Sequence, residues 1–257
     1  MHPNRMKRKL LDQQPVIGPN VQLDSAWLVE LIGQSGFDFV MLDAEHGIVA
    51  HNLPNLIMAA DAAGITPIVR VPTHERGFLL TPLEAGAGGL QVTMVNTAEQ
   101  ARALVRETKY APLGQRGISN VTRAANYGAY TIDEWVTIAN QETLLIVQIE
   151  TVEGLRNAQE IARVPGVDMI FIGPGDLAQS MNLIGKTDRT EMINAMKQVI
   201  RQVRDTVPVG TTAFSTEEAR MWRNEGVLSI LTSSMLPIRR TFDTLYQQLK
   251  AGVDQKG

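Results

Sequence analysis

Several apolar runs of this 257-residue chain end in residues that do not belong in a core. The stretch "FVMLDAEHG" at 39–47 carries Asp43, Glu45 and His46, and "TPIVRV" at 66–71 contains Arg70. "LLIVQIE" at 144–150 ends in Gln148 and Glu150, "GPGDL" holds Asp176, and "PVGTTA" at 208–213 brings Thr211 and Thr212. Each has a structural explanation taken alone. Asp43 suits a turn or a helix cap, His46 a packed and hydrogen-bonded position, and Asp176 the cap of a short helix. Arg70 needs anionic company, because burying an unpaired charge is expensive, and Glu150 is one candidate partner. Taken together, two carboxylates, a lone arginine and an Asp/His pair fit a divalent metal with a bound anionic substrate.

The chemistry of such a set can be written out. Mg2+, Mn2+ or Co2+ accepts oxygen ligands and keeps positions for water or substrate, so Glu150 and Asp176 suffice as protein ligands. A 2-oxo acid held there becomes acidic at the carbon beside its ketone, because the metal stabilises the enolate oxygen. Glycines flank the amides of Gly175 and Asp176, which suit the substrate carboxylate. Arg70 gives a second positive contact to the enolate. His46, oriented by Asp43 three residues earlier, is the expected general base. Gln148 and Thr212 complete the expected substrate contacts.

Elements must bring these residues together. Strands are predicted at 16–21, 39–44, 66–71, 89–95, 144–150, 168–173, 208–213 and 228–233, separated by stretches of helical periodicity. The alternation implies a parallel sheet, and eight strands in this length imply a closed (β/α)8 barrel whose strand ends share one rim. No G-x-G-x-x-G follows the first strand and no P-loop occurs, which argues against an open nucleotide-binding sheet. "DSAWLVELIGQSG" reads as a helix capped by Asp24 or Ser25, and "TAEQARALVRETKY" as one capped by Thr97. The segment from Ala111 to about Asn140 reads as a long connection that is functional or touches a partner subunit. Within it, Arg116 and Arg123 are candidates for an acidic substrate tail, or for solvated or inter-subunit positions. A single domain over 1–257 is expected, with short helical extensions at both ends.

Composition excludes whole classes. The chain has no cysteine, so disulfides, thiolate nucleophiles and Cys-built zinc sites are out. A net charge of −3 and a pI near 5.8, with no basic stripe, argue against nucleic acid as a partner. No stretch approaches the ~20 apolar residues of a membrane span, and no signal-like run follows "MHPNRMKRKLLDQQ", so no membrane partner and a cytoplasmic location are expected. Its "KRK" cluster reads as the solvated face of a first helix. No predicted strand contains lysine, against a Schiff-base aldolase, and no G-x-S-x-G occurs.

The blocks "FDFVMLDAEHG", "TPIVRVP", "GLQVTMVNTAEQA", "PLGQRGISNVTRAANYG", "IVQIETVEGLRN" and "VPGVDMIFIGPGDLAQSMN" resemble, in order, the HpcH/HpaI aldolase family over roughly residues 15–245. These are metal-dependent 2-keto-3-deoxy-acid aldolases. The resemblance implies a barrel of the phosphoenolpyruvate/pyruvate superfamily type, and a hexamer in which the last helix packs on a neighbouring barrel. It implies cleavage of a 4-hydroxy-2-oxo acid to pyruvate and an aldehyde. It puts the metal on Glu150 and Asp176, the essential arginine on Arg70, the Asp/His dyad on Asp43 and His46, and a glutamine on Gln148. Gly175 stands where alanine is common and Thr93 where proline is common, and "LSILTSSM" replaces the usual ending of the last strand. The last two are expected towards the aldehyde side and the subunit contacts. The sequence therefore reads as a class II pyruvate aldolase. The alternatives are an oxaloacetate decarboxylase or other enolate lyase on the same site, and a barrel that binds a keto acid without turning it over.

Overall fold

The computed structural model of the chain describes residues 3–254. Eight parallel strands close into a barrel in sequence order, the first pairing with both the second and the eighth. They are β1 (Val16–Val21), β2 (Phe39–Asp43), β3 (Thr66–Val71), β4 (Gly89–Val92), β5 (Leu144–Ile149), β6 (Met169–Ile172), β7 (Val209–Thr212) and β8 (Ser229–Ser233). This is the expected (β/α)8 barrel. Strand β4 stops short of the predicted 95, since Met94 takes φ 59°, a left-handed backbone that ends an extended run.

Side chains alternate across each strand, so one parity faces the barrel interior and the other the surrounding helices. The inward set packs Phe39, Met41, Ile68, Leu144, Ile146, Met169 and Phe171 into one cluster. The outward set, including Val40, Leu42, Val69, Leu90, Val92, Leu145 and Val147, packs into the larger cluster beneath the helices. Helix α1 (Arg5–Leu11) plugs the N-terminal end of the barrel with Met6 and Leu10, which join the interior cluster. Its basic residues are not simply solvated: Lys7 pairs with Asp168 at 2.9 Å, Arg8 with Glu142 at 3.0 Å and Lys9 with Asp38 at 2.5 Å.

Helices α2 (Ala26–Gln34), α3 (Leu53–Ala62), α4 (Arg76–Ala85) and α5 (Ala98–Thr108) lie between the early strands. Ser25, not Asp24, caps α2, and Thr97 forms a capping box with Gln100 at α5. The long connection after α5 is not irregular throughout. Thr131 and Glu134 form a second capping box that starts α6 (Ile132–Glu142), which buries Trp135 and Ala139. There follow α7 (Val152–Arg156), α8 (Ala158–Ala162), α9 (Pro174–Ser180), α10 (Thr190–Val203), α11 (Thr216–Glu225) and the terminal α12 (Met235–Asp254). No helix among the described residues is long and apolar enough to cross a membrane.

Candidate active site

The inward parity continues to the C-terminal rim. On β2 it runs Phe39, Met41, Asp43; on β3 Ile68, Arg70; on β5 Leu144, Ile146, Gln148 and then Glu150. The register sets Asp43 beside Arg70 and Arg70 beside Gln91, so neighbouring staves deliver polar groups at one level. Above them opens a cleft of about 590 Å³ lined by His46, Arg70, Gln148, Glu150, Gly175, Asp176 and Thr212. The eighth predicted residue, Asp43, is fully buried at the base of this group.

Asp43 is held from three sides. Its carboxylate accepts two hydrogen bonds from the Arg70 guanidinium, at 2.9 and 2.6 Å, and the backbone amides of Glu45 and His46 donate to its Oδ1 at 3.2 and 3.1 Å. Burial alone would raise this carboxyl, but the Arg70 bonds and charge, with the two amides, overcome it and hold Asp43 below the usual carboxylate range. Asp43 thus fixes the backbone of the His46 turn and the Arg70 side chain, and the His46 imidazole lies 3.6 Å from Glu45 instead. That imidazole is 58% exposed, while Glu45 also reaches Arg70 Nε at 3.3 Å. Gly47 closes the turn, where a Cβ would stand 2.4 Å from the Asp43 carbonyl oxygen.

A second network holds Glu150. Gln91 donates to Gln148 Oε1 at 2.5 Å, Gln148 Nε2 donates to Glu150, and the Met94 amide donates to Glu150 Oε1 at 2.8 Å. Gly173 makes room for this chain, since a Cβ there would lie 2.8 Å from Glu150 Oε2 and 3.0 Å from Gln148 Nε2. Burial pushes the Glu150 carboxyl above its ordinary range. Hydrogen bonds from Gln148 and Met94 oppose this, and the nearby charges of Asp176 and Glu45 add to it. Asp176 sits exposed in the first turn of α9. A buried carboxylate raised in part by the charge of a second one at the mouth of an open cleft suits a hard divalent cation, which would offset that repulsion and keep positions for other oxygens. Among the described residues no group of three or more His, Cys, Asp or Glu side chains is placed to hold a metal ion; the carboxylates lining the cleft are Glu150 and Asp176.

The barrel agrees with comparisons to known proteins. The sequence profile described as HpcH/HpaI aldolase/citrate lyase matches residues 18–230. The chain belongs to the HpcH/HpaI family. It is similar to the hydroxypyruvate/pyruvate aldolase of Roseobacter denitrificans, 34% identical over 204 residues and covering 79% of each chain. It is 33% identical over 241 residues, 93% of each chain, to the 5-keto-4-deoxy-D-glucarate aldolase of Salmonella arizonae. The crystal structure of an HpcH/HpaI family protein from Burkholderia cenocepacia J2315 superposes with a TM-score of 0.89 at 30% identity, covering 96% of this chain and 99% of that one.

Departures from the usual HpcH/HpaI pattern gain physical meaning in this geometry. Gly175 has open space where a Cβ would go, so the commoner alanine would fit and the backbone amide is the same. Thr93 is 1% exposed, and its hydroxyl donates to Glu45 at 3.0 Å. It belongs to the Arg70 and His46 side of the site. Arg116 and Arg123 are absent from the cleft. Arg116 bonds Glu84 at 2.7 Å and lies 4.7 Å above the Tyr110 ring, and Arg123 bonds Asp61 at 2.6 Å and the Ala85 carbonyl at 2.9 Å. Both pin the connection before α6 onto α3 and α4. Gln91, and the contact Thr93 makes to Glu45, are what the sequence reading missed on this side of the site. Their signal was a glutamine and a threonine on the inward parity of β4 and its continuation.

Proposed function

We propose that the chain is a class II pyruvate aldolase. It would cleave a 4-hydroxy-2-oxo acid reversibly to pyruvate and an aldehyde, as the names of its aldolase relatives suggest. The observation that carries this reading is the convergence of Arg70, Glu150, Asp176 and His46 on one cleft at the strand ends. In this reading Glu150 and Asp176 hold the divalent cation, Mg2+, Mn2+ or Co2+. Bound there, the cation supplies Lewis-acid polarisation of the ketone. The amides of Gly175 and Asp176, with Gln148 and Thr212, orient the 2-oxo acid. The His46 imidazole, exposed to the cleft, takes the proton of the 4-hydroxyl. The bond between carbons 3 and 4 breaks, its electrons pass to the enolate, and the aldehyde leaves. Arg70 faces the enolate oxygen with a charge already fixed by Asp43 and Glu45, so little reorganisation is needed as the anion develops. A proton returned to carbon 3 yields pyruvate.

The assembly is proposed to be a homohexamer held partly by α12. Phe242, Leu245, Tyr246, Leu249 and Val253 are all exposed on this helix, and none of its residues is buried. The cytoplasm is the proposed location. The decisive experiment is exchange of the pyruvate methyl protons for deuterium, followed by NMR with Mg2+ or Mn2+ and with chelator. Metal-dependent exchange that is lost in Glu150→Gln supports the reading. No exchange with any of these metals would overturn it.

A further inference from the structure

Among the described residues, β4 and the stretch just after it line none of the cleft. Their polar groups nevertheless reach Glu150. Leu90 and Val92 of β4 pack outward beneath the helices, so Gln91 between them points inward, in register with Arg70 of β3 and Ile146 of β5. It is 3% exposed. A buried primary amide is expensive unless its polar atoms are answered. Gln91 Nε2 donates to Gln148 Oε1 at 2.5 Å, and this commits the Gln148 amide to one orientation, with its own Nε2 donating to Glu150 Oε2.

Both oxygens of Glu150 are thereby tied to β4. Oε2 is reached through Gln148, and Oε1 accepts from the Met94 amide at 2.8 Å. Met94 holds that amide with φ 59°, a left-handed backbone that a non-glycine residue keeps only where its surroundings fix it. A carboxylate oxygen can accept more than one bond, so a cation can still bind while the two donors set the orientation of the group. Filling space would not require an amide at position 91, and substrate contact is not open to a residue that lies off the cleft.

We propose that Gln91 is a positioning residue, acting through Gln148 to hold Glu150 in the orientation in which it binds the divalent cation. It touches neither cation nor substrate. The proposal rests on the reading of Glu150 as a metal ligand, and partners that stand behind a ligand tune metal affinity by fixing the ligand's geometry.

The test is calorimetric titration of Mn2+ into the full chain after removal of metal with chelator, so that binding and not turnover is read. Wild type, Gln91→Met, Gln148→Met and the double variant form a double-mutant cycle. Methionine fills the space of glutamine without offering a donor. The Kd for Mn2+ is expected to rise about tenfold in Gln91→Met and about tenfold to a hundredfold in Gln148→Met. The double variant should match Gln148→Met, because the route from Gln91 to Glu150 is already cut. Gln91→Asn, which keeps the amide one methylene short, should recover part of the affinity. Wild-type affinity in folded Gln91→Met would overturn the proposal, and so would a double variant in which the two losses multiply. Should Gln91→Met fail to fold, the double variant, which leaves no amide orphaned, still decides: weaker binding than in Gln148→Met would show that Gln91 does not act through Gln148. A wild type that binds no Mn2+ would overturn the metal reading and this proposal with it, whereas unchanged binding in the variants overturns the proposal alone.

Discussion

Arg70 answers to two acids at once, and this sets what its loss should do. Asp43 is wholly buried, and the arginine side chain is 13% exposed. Removing one member of such a pair leaves an uncompensated charge, a cost of about 3–5 kcal/mol. Arg70→Met should therefore lower stability by about that amount in chemical denaturation and abolish pyruvate exchange. Arg70→Lys keeps the charge without the fork and should recover more stability than exchange. A fully stable Arg70→Met protein would refute the ion-pair account. The two buried carboxylates carry opposite pH signatures. Asp43, held low, adds stability that is fully present above its unfolded value of about 3.9 and lost as pH falls through the lower folded value. Glu150, held high, keeps its proton more tightly in the folded state, so it costs stability as pH rises past about 4.3. If it is a metal ligand, Mn2+ competes with that proton. Thermal stabilisation by Mn2+ should then be larger at about pH 7.5 than at about pH 5.5. Equal shifts at both would argue against Glu150 as a ligand.

At the scale of elements, a strand delivers chemistry only if its parity is right, and glycine is needed where two deliveries meet. Gly173, just after β6, has φ −88°, a value any residue accepts, so only space forbids a side chain. Alanine there would press on Glu150 and Gln148. Gly173→Ala should reduce pyruvate exchange by about tenfold to a hundredfold through misplacement of the carboxylate. Gly175→Ala, two residues on and with open space around it, should stay within about twofold. Equal behaviour of the two variants would show that the approach at Gly173 is unimportant. The same parity explains what the sequence made legible. Alternating apolar residues marked the staves, and polar residues on one parity at their ends marked the rim. The partner of Asp43 was harder to read. Spacing along the chain pointed to the His46 ring, whereas the strand register offered Arg70 across the sheet, and a bidentate ion pair outcompetes a single imidazole hydrogen bond for a buried carboxylate. Helix α6 was hidden because its Thr131 to Glu134 box follows a run rich in Gly, Asn and Arg.

For the whole molecule, the question is what covers α12. Phe242, Leu245, Tyr246, Leu249 and Val253 recur at three- and four-residue steps and so form one stripe of the helix. A contiguous exposed stripe of this kind marks an interaction surface. The helix also begins at the site: Leu236 lines the cleft, and the Ser233 hydroxyl caps the first turn by accepting from the Met235 and Leu236 amides at 3.2 and 3.3 Å. Displacing α12 should therefore disturb both assembly and cleft. Replacing Leu245 and Leu249 together by glutamate puts two charges on the stripe without touching the barrel core. The double variant should keep the barrel's circular dichroism while its mass by light scattering falls below that of the wild type. Its pyruvate exchange should fall with that mass, because one wall of the cleft starts on the helix that has lost its seat. A wild-type protein that is monomeric at micromolar concentration, or a double variant of unchanged mass, would mean that α12 is not the joint between copies and that its apolar stripe serves another partner.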